Sequence, residues 1–462
     1  MKKTLRFRFA LLIGKAAYRT GKLLKMNASH FPGRLAIHLC PDFLGRIDKP
    51  EKIVCVTGTN GKTTACNMIL DVLSDCGYDV LNNRAGSNLN AGIATSLLSH
   101  STLGGKVKHK LALFEVDERS SKLIYPFIHP GFAVCTNLFR DSLQRNAHTE
   151  YIFNLISDHI PRDTHMILNA DDAISSGLAP DNERTYYSIA HMETDHDADI
   201  NIINDARICP KCYHLLQYNY LKYHHIGNAY CPNCGFASPE SDYAALPDFD
   251  ARTITVKHGE ANETYPLITD SIFNTYNQVT AIAVLRELGL SPEEICSSFA
   301  KVKVLETRYS SKEAKGVEVI THLSKGFNPI ACSCVFEFVS RQPGEKEVIL
   351  MLGDIYGHSH SPEIVTWMYD ADFEYLNQPD INHLIVCGER CEDYKLRLLL
   401  AGVSEDKITC VPDEAKAHEY LRLDKTEKVF ILHQVYATNA AAVAQNKIID
   451  RLNDCVKFST KT

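Results

Sequence analysis

Residues 53–77, IVCVTGTNGKTTACNMILDVLSDCG, set an apolar run, a tight glycine turn and an amphipathic run in immediate succession. Few folds accommodate that order, because it asks for a buried strand whose carboxyl end turns directly into a helix. Gly58 and Gly61 let the backbone turn tightly, so that consecutive N–H groups point at one anion, and the helix N-terminus adds its partial positive charge. Lys62 then reaches the outer phosphates of a nucleotide and Thr63 presents a hydroxyl to Mg²⁺. Behind the turn, Ala65, Met68, Ile69, Val72 and Leu73 fall on one helical face, and Gly77 supplies a stop. The sequence therefore predicts a phosphate-binding loop, Gly58-Thr59-Asn60-Gly61-Lys62-Thr63-Thr64, on an ATP-type nucleotide site. Val56 stands where the general form of the motif carries its first glycine, so this is a shorter form of the loop.

Downstream, short apolar strands alternate with helical stretches: DVLN, KLALFEVD, GFAVCTN and HMILNADD. Alternation of this kind gives a largely parallel sheet covered by helices, with ligands at the carboxyl ends of its strands. Polar residues gather at those ends. Glu115 and Asp117 follow LALF, and a carboxylate so placed is a natural Mg²⁺ ligand. Asn137, Arg140 and Asp141 end the next strand, and Asn169, Asp171 and Asp172 the one after; each set is ordinary turn chemistry alone, and together they outline one site.

The 462 residues exceed one ordinary domain. A formal charge of -7 on such a chain gives no electrostatic footprint for nucleic acid. Most of the sixteen cysteines sit singly in apolar runs, as Cys55, Cys135 and Cys387 do, and read as small core residues of a chain kept in the reducing cytoplasm. Four do not. Cys209-Pro-Lys-Cys212 and Cys231-Pro-Asn-Cys234 are two knuckles separated by eighteen residues, a spacing that suits tetrahedral Zn²⁺ in a closed, structural site. The sequence between them is tyrosine-rich and poor in cations, which favours a scaffold over a nucleic-acid reader; His224 and His225 are surplus to the metal.

Residues 5–25 are basic and amphipathic, and either pack on the protein or touch a membrane surface. TITVKHGEANETYPLI reads as a hairpin, and FNTYN as the opening of the helix QVTAIAVLRELG, its asparagines Asn274 and Asn277 being first of all caps. Polar residues 301–315 mark a boundary, after which VEVI, KEVILMLGD, HLIVCGER, KITCVPD and KVFILHQ start a second α/β pattern without a glycine fingerprint. The predicted organisation is an α/β protein with an N-terminal helical segment (1–48), a central ATP-binding domain (49–305) carrying a zinc ribbon (205–236), and a C-terminal Rossmann-like domain (306–462).

The set GTNGKTT, NNRAGSN, FEVDE, TNLFRD, LNADD, the four-cysteine ribbon, FNTYN and TWMYDADFE resembles the MurT family, the Mur-ligase-like subunits of lipid II isoglutaminyl synthases. The short loop alone points only to Mur-type ligases, and the ribbon narrows the resemblance. It implies a Mur-ligase-type central domain and an ATP-dependent carbon–nitrogen ligase that phosphorylates the α-carboxylate of D-glutamate in the lipid II stem peptide. Ammonia from a GatD-like glutamine amidotransferase partner then displaces phosphate to leave D-isoglutamine. It further implies that Thr63 and Glu115 hold Mg²⁺, that Asn274 and Asn277 lie near the adenine, that Arg308 closes onto the phosphates, and that the C-terminal domain receives the partner.

The C-terminal loop departs from the family pattern. Counting back from Trp367, Ile364 stands where the family carries a catalytic aspartate; Glu363 is the nearest carboxylate, and Asp354 keeps its place at a strand end. The departure leaves two other readings open: a Mur-type ligase with another acceptor, and a nucleotide-binding scaffold without catalysis.

Overall fold

The computed structural model describes residues 1–454 except 27, 85, 141–147, 198–200, 270, 302–308, 325–327, 354, 357, 358 and 361–364; the side chains at 309, 355, 356, 359 and 360 also fall outside the description. Arg308, Asp354 and Glu363, together with Asp141 and Ile364, thus lie outside the described residues. The chain divides into two compact units, one of residues 1–140, 147–199 and 205–303, the other of 141–146, 200–204 and 304–462.

The first unit opens with helices α1 (Leu5–Leu23), α2 (Phe31–Leu39) and α3 (Phe43–Arg46). The Thr4 hydroxyl caps α1 by accepting from the Phe7 N–H, and Phe7, Ala10 and Leu11 enter the core. β1 (Lys52–Thr57), α4 (Lys62–Asp75), β2 (Val80–Asn82), α5 (Asn90–Ser99), β3 (Leu111–Glu115), α6 (Ser121–Ile124), β4 (Phe132–Cys135), α7 (Thr149–Ser157), β5 (His165–Asn169) and β6 (Arg184–Ile189) then alternate as the apolar runs predict. The hairpin β7 (Gln217–Tyr223) and β8 (Ile226–Tyr230) follows, then β9 (Tyr243–Asp248), β10 (Thr253–His258) and β11 (Ala261–Pro266), and last α8 (Ile272–Glu287) and α9 (Pro292–Phe299).

Nine strands form one sheet in the order β11-β10-β9-β6-β5-β4-β1-β3-β2, parallel from β2 to β9, with β10 and β11 antiparallel at the edge. The chain runs to one side of β1 for β2 and β3 and to the other for β4 and β5, so a topological switch point lies at the carboxyl end of β1. The phosphate-binding loop begins there. Ala65, Met68, Ile69, Val72 and Leu73 of α4 are all buried, and the lone cysteines Cys55 and Cys135 are core residues. One local expectation fails: α8 starts at Ile272, and Ser271 is its cap, accepting from the Asn274 N–H at 3.4 Å. Serine competes as well as asparagine for a helix start, and the helix gains Ile272 and Phe273 in its first turn.

The second unit contains β12 (Tyr309–Ala314), β13 (Val317–Leu323), α10 (Pro329–Arg341), β14 (Lys346–Met351), β15 (Ile355–Tyr356), β16 (Ser359–His360), β17 (Ile381–Cys387), α11 (Cys391–Leu400), β18 (Ile408–Val411), β19 (Lys428–His433) and α12 (Thr438–Asp454). Its main sheet runs β12-β13-β19-β14-β17-β18, parallel except for β12, with apolar layers on both faces. The carboxyl ends of β13 and β14 lie at the same edge of that sheet, since both strands run parallel to β19 between them. Asn201 and Ile202 join this unit through Asp372, which accepts from the Asn201 amide at 3.1 Å and the Ile202 N–H at 2.6 Å. No helix of the described residues is long and apolar enough to cross a membrane.

Candidate active site

The loop after β1 takes the shape its glycines allow. Gly58 has φ +122° and Gly61 φ +87°, both in the left-handed half of the map. Space is as restrictive as torsion: a Cβ on Gly58 would meet the Thr136 hydroxyl at 2.3 Å, and one on Gly61 would meet Asn277 Oδ1 at 2.0 Å. Asn277 of α8 thus stands directly against the loop.

A strap of residues 136–139, the continuation of β4, holds the loop from behind. The Thr59 N–H donates to the Asn137 carbonyl at 2.8 Å and the Asn60 N–H to Asn137 Oδ1 at 3.0 Å. Asn137 Nδ2 and the Thr136 hydroxyl both donate to the Asn60 carbonyl, at 3.1 and 2.6 Å. The Thr59 hydroxyl donates to the Phe139 carbonyl at 3.1 Å and accepts from its N–H at 3.0 Å. With Thr59 and Asn60 committed to the strap, the donors left to meet an anion are the first-turn N–H groups of α4, which no helical carbonyl can satisfy. Thr63, the second residue of α4, is exposed beside them.

Lys62 donates to the carbonyls of Gly58 and Thr59 and to Glu118 Oε1, the last at 2.9 Å. Burial works against its charge, and the Glu118 carboxylate outweighs that, so its pKa lies above the ordinary lysine value. Glu118 is itself raised: burial exceeds the opposing pull of Lys62. This carboxylate is absent from the sequence expectation, which named the two acids before it. Glu115 pairs in register with Val56 at the end of β1 and accepts from Asn88 Nδ2 at 3.1 Å, while Asp117 caps the short turn that presents Glu118. A mere count of acids in FEVDE could not separate these roles, since each depends on which way the chain turns after β3.

The LNADD acids are structural neighbours of the loop. Asp172 is buried and accepts from the Leu138 N–H at 2.8 Å and the Ile174 N–H at 2.9 Å, with His225 Nε2 3.3 Å from its Oδ1. Burial works to raise Asp172, but His225 and its other donors outweigh it and hold the carboxyl below the usual range. Asp171 accepts from the Tyr276 hydroxyl at 2.7 Å and the Ile189 N–H at 2.9 Å; burial nevertheless pushes it up to about 6. Arg140 pairs with Asp205 at 2.5 Å. Asn274 accepts from Asn277 Nδ2 at 3.4 Å.

The four ribbon cysteines converge. Sγ of Cys209 is 3.6 Å from that of Cys234, Cys212 is 3.5 Å from Cys231, and all four sulfurs lie within 4.8 Å of one another. A metal–sulfur bond of about 2.3 Å gives tetrahedral edges of about 3.8 Å, so the donor set fits a metal–thiolate site. Each knuckle closes on a left-handed residue, Tyr213 and Gly235, one place after its second cysteine. Cys391, Glu392 and Cys410 make a second trio of donors in the other unit, with an exposed carboxylate and no fourth ligand among the described residues.

Two family models match the chain: Mur ligase middle domain over residues 56–285 and MurT ligase C-terminal over residues 323–438. Among solved structures, a pseudomurein peptide ligase type C from Methanothermus fervidus superposes with a TM-score of 0.62 at 19% identity, covering 89% of this chain and 81% of that one. MurF ligase from Thermotoga maritima, in complex with ADP, gives 0.60 at 16% identity, covering 92% and 84%. Fold and loop together define an ATP-dependent ligase of the Mur type. Within that class, the lipid II isoglutaminyl synthase (glutamine-hydrolyzing) subunit MurT of Staphylococcus aureus strain COL is 32% identical over 400 residues, 85% of this chain and 88% of the relative. The same subunit of Streptococcus pneumoniae R6 is 27% identical over 385 residues, 83% and 84%. The chain belongs to the MurT family.

Proposed function

We propose that this chain is the ligase subunit of a lipid II isoglutaminyl synthase. In this reading it uses ATP to activate the α-carboxylate of D-glutamate in the lipid II stem peptide, and ammonia replaces phosphate to give D-isoglutamine. The observation that supports it best is the intact loop of the first unit, with Lys62 and an ordered carboxylate cluster at the switch point, in a chain related to MurT subunits over most of its length.

The α4 first-turn N–H groups and Lys62 bind the phosphates, with Gly58, Thr59, Asn60, Gly61 and Thr64 shaping the cradle. Thr63 and Glu115 would hold Mg²⁺, which would supply charge neutralisation for phosphoryl transfer. Asn277 fixes Gly61 and, with Asn274, borders the nucleoside. Arg308 closes onto the phosphates, and Asp354 and Glu363 act on the acceptor side, Asp354 as the leading acid. The metal of the ribbon is Zn²⁺ in a structural role, its four thiolates leaving no open position. The ammonia source is a GatD-like glutamine amidotransferase.

The chain works at the cytoplasmic face of the membrane, where a lipid-linked substrate resides. Supporting this, α1 exposes Leu5, Phe9, Leu12 and Leu23 along one side, and the chain has no acid before Asp42 while carrying Lys and Arg throughout that stretch.

Stimulation of phosphate release from ATP by lipid II tests the ligase reading. Turnover that ignores lipid II but responds to another carboxylate would move the acceptor; nucleotide binding with no turnover would make the chain a scaffold.

A further inference from the structure

The ribbon hairpin does more in this structure than carry cysteines. Its turn, His224-His225 between β7 and β8, is buried, with His224 at φ +47°. The His225 ring lies 4.3 Å from the Phe139 ring, centroid to centroid, and Tyr223 stacks on the same phenyl at 6.3 Å. Phe139 is the residue whose backbone exchanges two hydrogen bonds with the Thr59 hydroxyl. Asp172, facing His225, holds the next N–H back along the strap, that of Leu138. Bridges of β-type tie both flanks of the turn to the sheet domain, Leu221 to His196 and Ile226 to Asp172. Lys222 closes a buried pair with Asp195 at 2.8 Å and donates to the Ala190 carbonyl at 2.6 Å.

We infer that His225 is a positioning residue: held by Asp172, it clamps strap residues 138–139 against Thr59 and so fixes the nucleotide loop, which links metal binding in the ribbon to nucleotide affinity. The hairpin backs residues 138–139 on this side and is itself held at its far end by the four-cysteine cluster. Loss of the clamp lets Thr59 and Asn60 drift, and the first turn of α4 with them. Its effect falls on nucleotide binding, since His225 touches no reacting group. Linkage is reciprocal, so nucleotide should tighten metal binding by the same factor that metal tightens nucleotide.

This inference rests on the nucleotide reading of the loop, and Lys62→Ala serves as that reading's own control. Fluorescent ATP titrations on the full chain should show about tenfold weaker binding for His225→Ala, the scale of one lost contact to a buried carboxylate. In the complete enzyme, KM for ATP should rise by the same factor while kcat at saturating ATP and KM for glutamine stay put. His225→Gln, which restores an N–H for Asp172, should recover part of the loss. Stripping the metal with a chelator should require more chelator when ATP is present. Wild-type ATP affinity in a folded His225→Ala chain overturns the inference. Should His225→Ala not fold, Phe139→Leu decides in its place: weakened ATP binding supports the clamp and unchanged binding refutes it. Unchanged ATP binding in Lys62→Ala would instead remove the nucleotide reading itself.

Discussion

Glu118 brings Oε1 to within 2.9 Å of Lys62 Nζ, and the two side chains are only 10% and 12% exposed. The lysine of the phosphate loop is thus paired inside the protein. Removing one member of a buried pair leaves the other charged and unpartnered, which costs about 3 kcal/mol or more. Lys62→Met should destabilise the first unit by about that amount, and Lys62→Met with Glu118→Gln should be the more stable of the two variants. Chemical denaturation followed by far-UV circular dichroism measures both. Equal losses in the single and double variants would show that the pair carries no coupling. ATP turnover should be absent from both.

The cysteine cluster predicts metal dependence. Cys209→Ser and Cys231→Ser should each release close to one equivalent of zinc and loosen the ribbon, because binding at such sites contributes on the order of 10 kcal/mol to folding. Metal analysis and limited proteolysis between residues 205 and 236 check this. Full metal content and unchanged protease resistance in both variants would refute the assignment.

Glu347, at the start of β14, predicts that the second unit loses stability in acid. Burial alone would raise its pKa, but His383, the Thr426 hydroxyl and the Arg422 and Leu423 N–H groups outweigh that and hold it near 2, against an ordinary value of 4.5. A depressed carboxylate stabilises the fold above its unfolded pKa and loses that contribution as pH falls through the folded one. The window therefore runs from about pH 4.5 down to about pH 2, and the shift is worth about 3 kcal/mol. Trp367, the chain's one tryptophan and buried in this unit's core, reports it by fluorescence. The gap in stability between wild type and Glu347→Gln should narrow by about that amount across the window; a constant gap would contradict the assignment.

The exposed face of α1 predicts membrane contact. Vesicles of phosphatidylcholine with phosphatidylglycerol should retain the wild-type chain, and pure phosphatidylcholine should not. Arg6→Glu with Arg8→Glu should weaken retention by more than tenfold, since each cation near an anionic surface is worth about 1 kcal/mol. Phe9→Ser with Leu12→Ser should weaken it without removing the charge dependence. Retention that ignores lipid charge would refute this contact.

Much of the architecture could be read from the chain. The strands of both sheets follow apolar runs that end at polar residues, and the loop glycines, α4 and the cysteine knuckles are local patterns with local causes. What escaped the sequence is the set of relationships made by folding. Glu118 reaches Lys62 only because the chain turns after β3; Ser271 outcompetes Asn274 because the helix begins earlier than its most apolar stretch. His225 looked surplus among metal ligands, yet the hairpin brings it to Asp172 across 53 positions of sequence. Side chains whose partners are distant in sequence leave no periodic or spacing signal.

The most direct test of the central claim is the mass of lipid II after incubation with this chain, a GatD-like glutaminase subunit from the same genome, ATP, Mg²⁺ and glutamine. The account predicts a product lighter by about one dalton, acid converted to amide, formed in step with phosphate release and absent with Lys62→Ala. Lipid II of unchanged mass, with ATP bound or consumed, would contradict it.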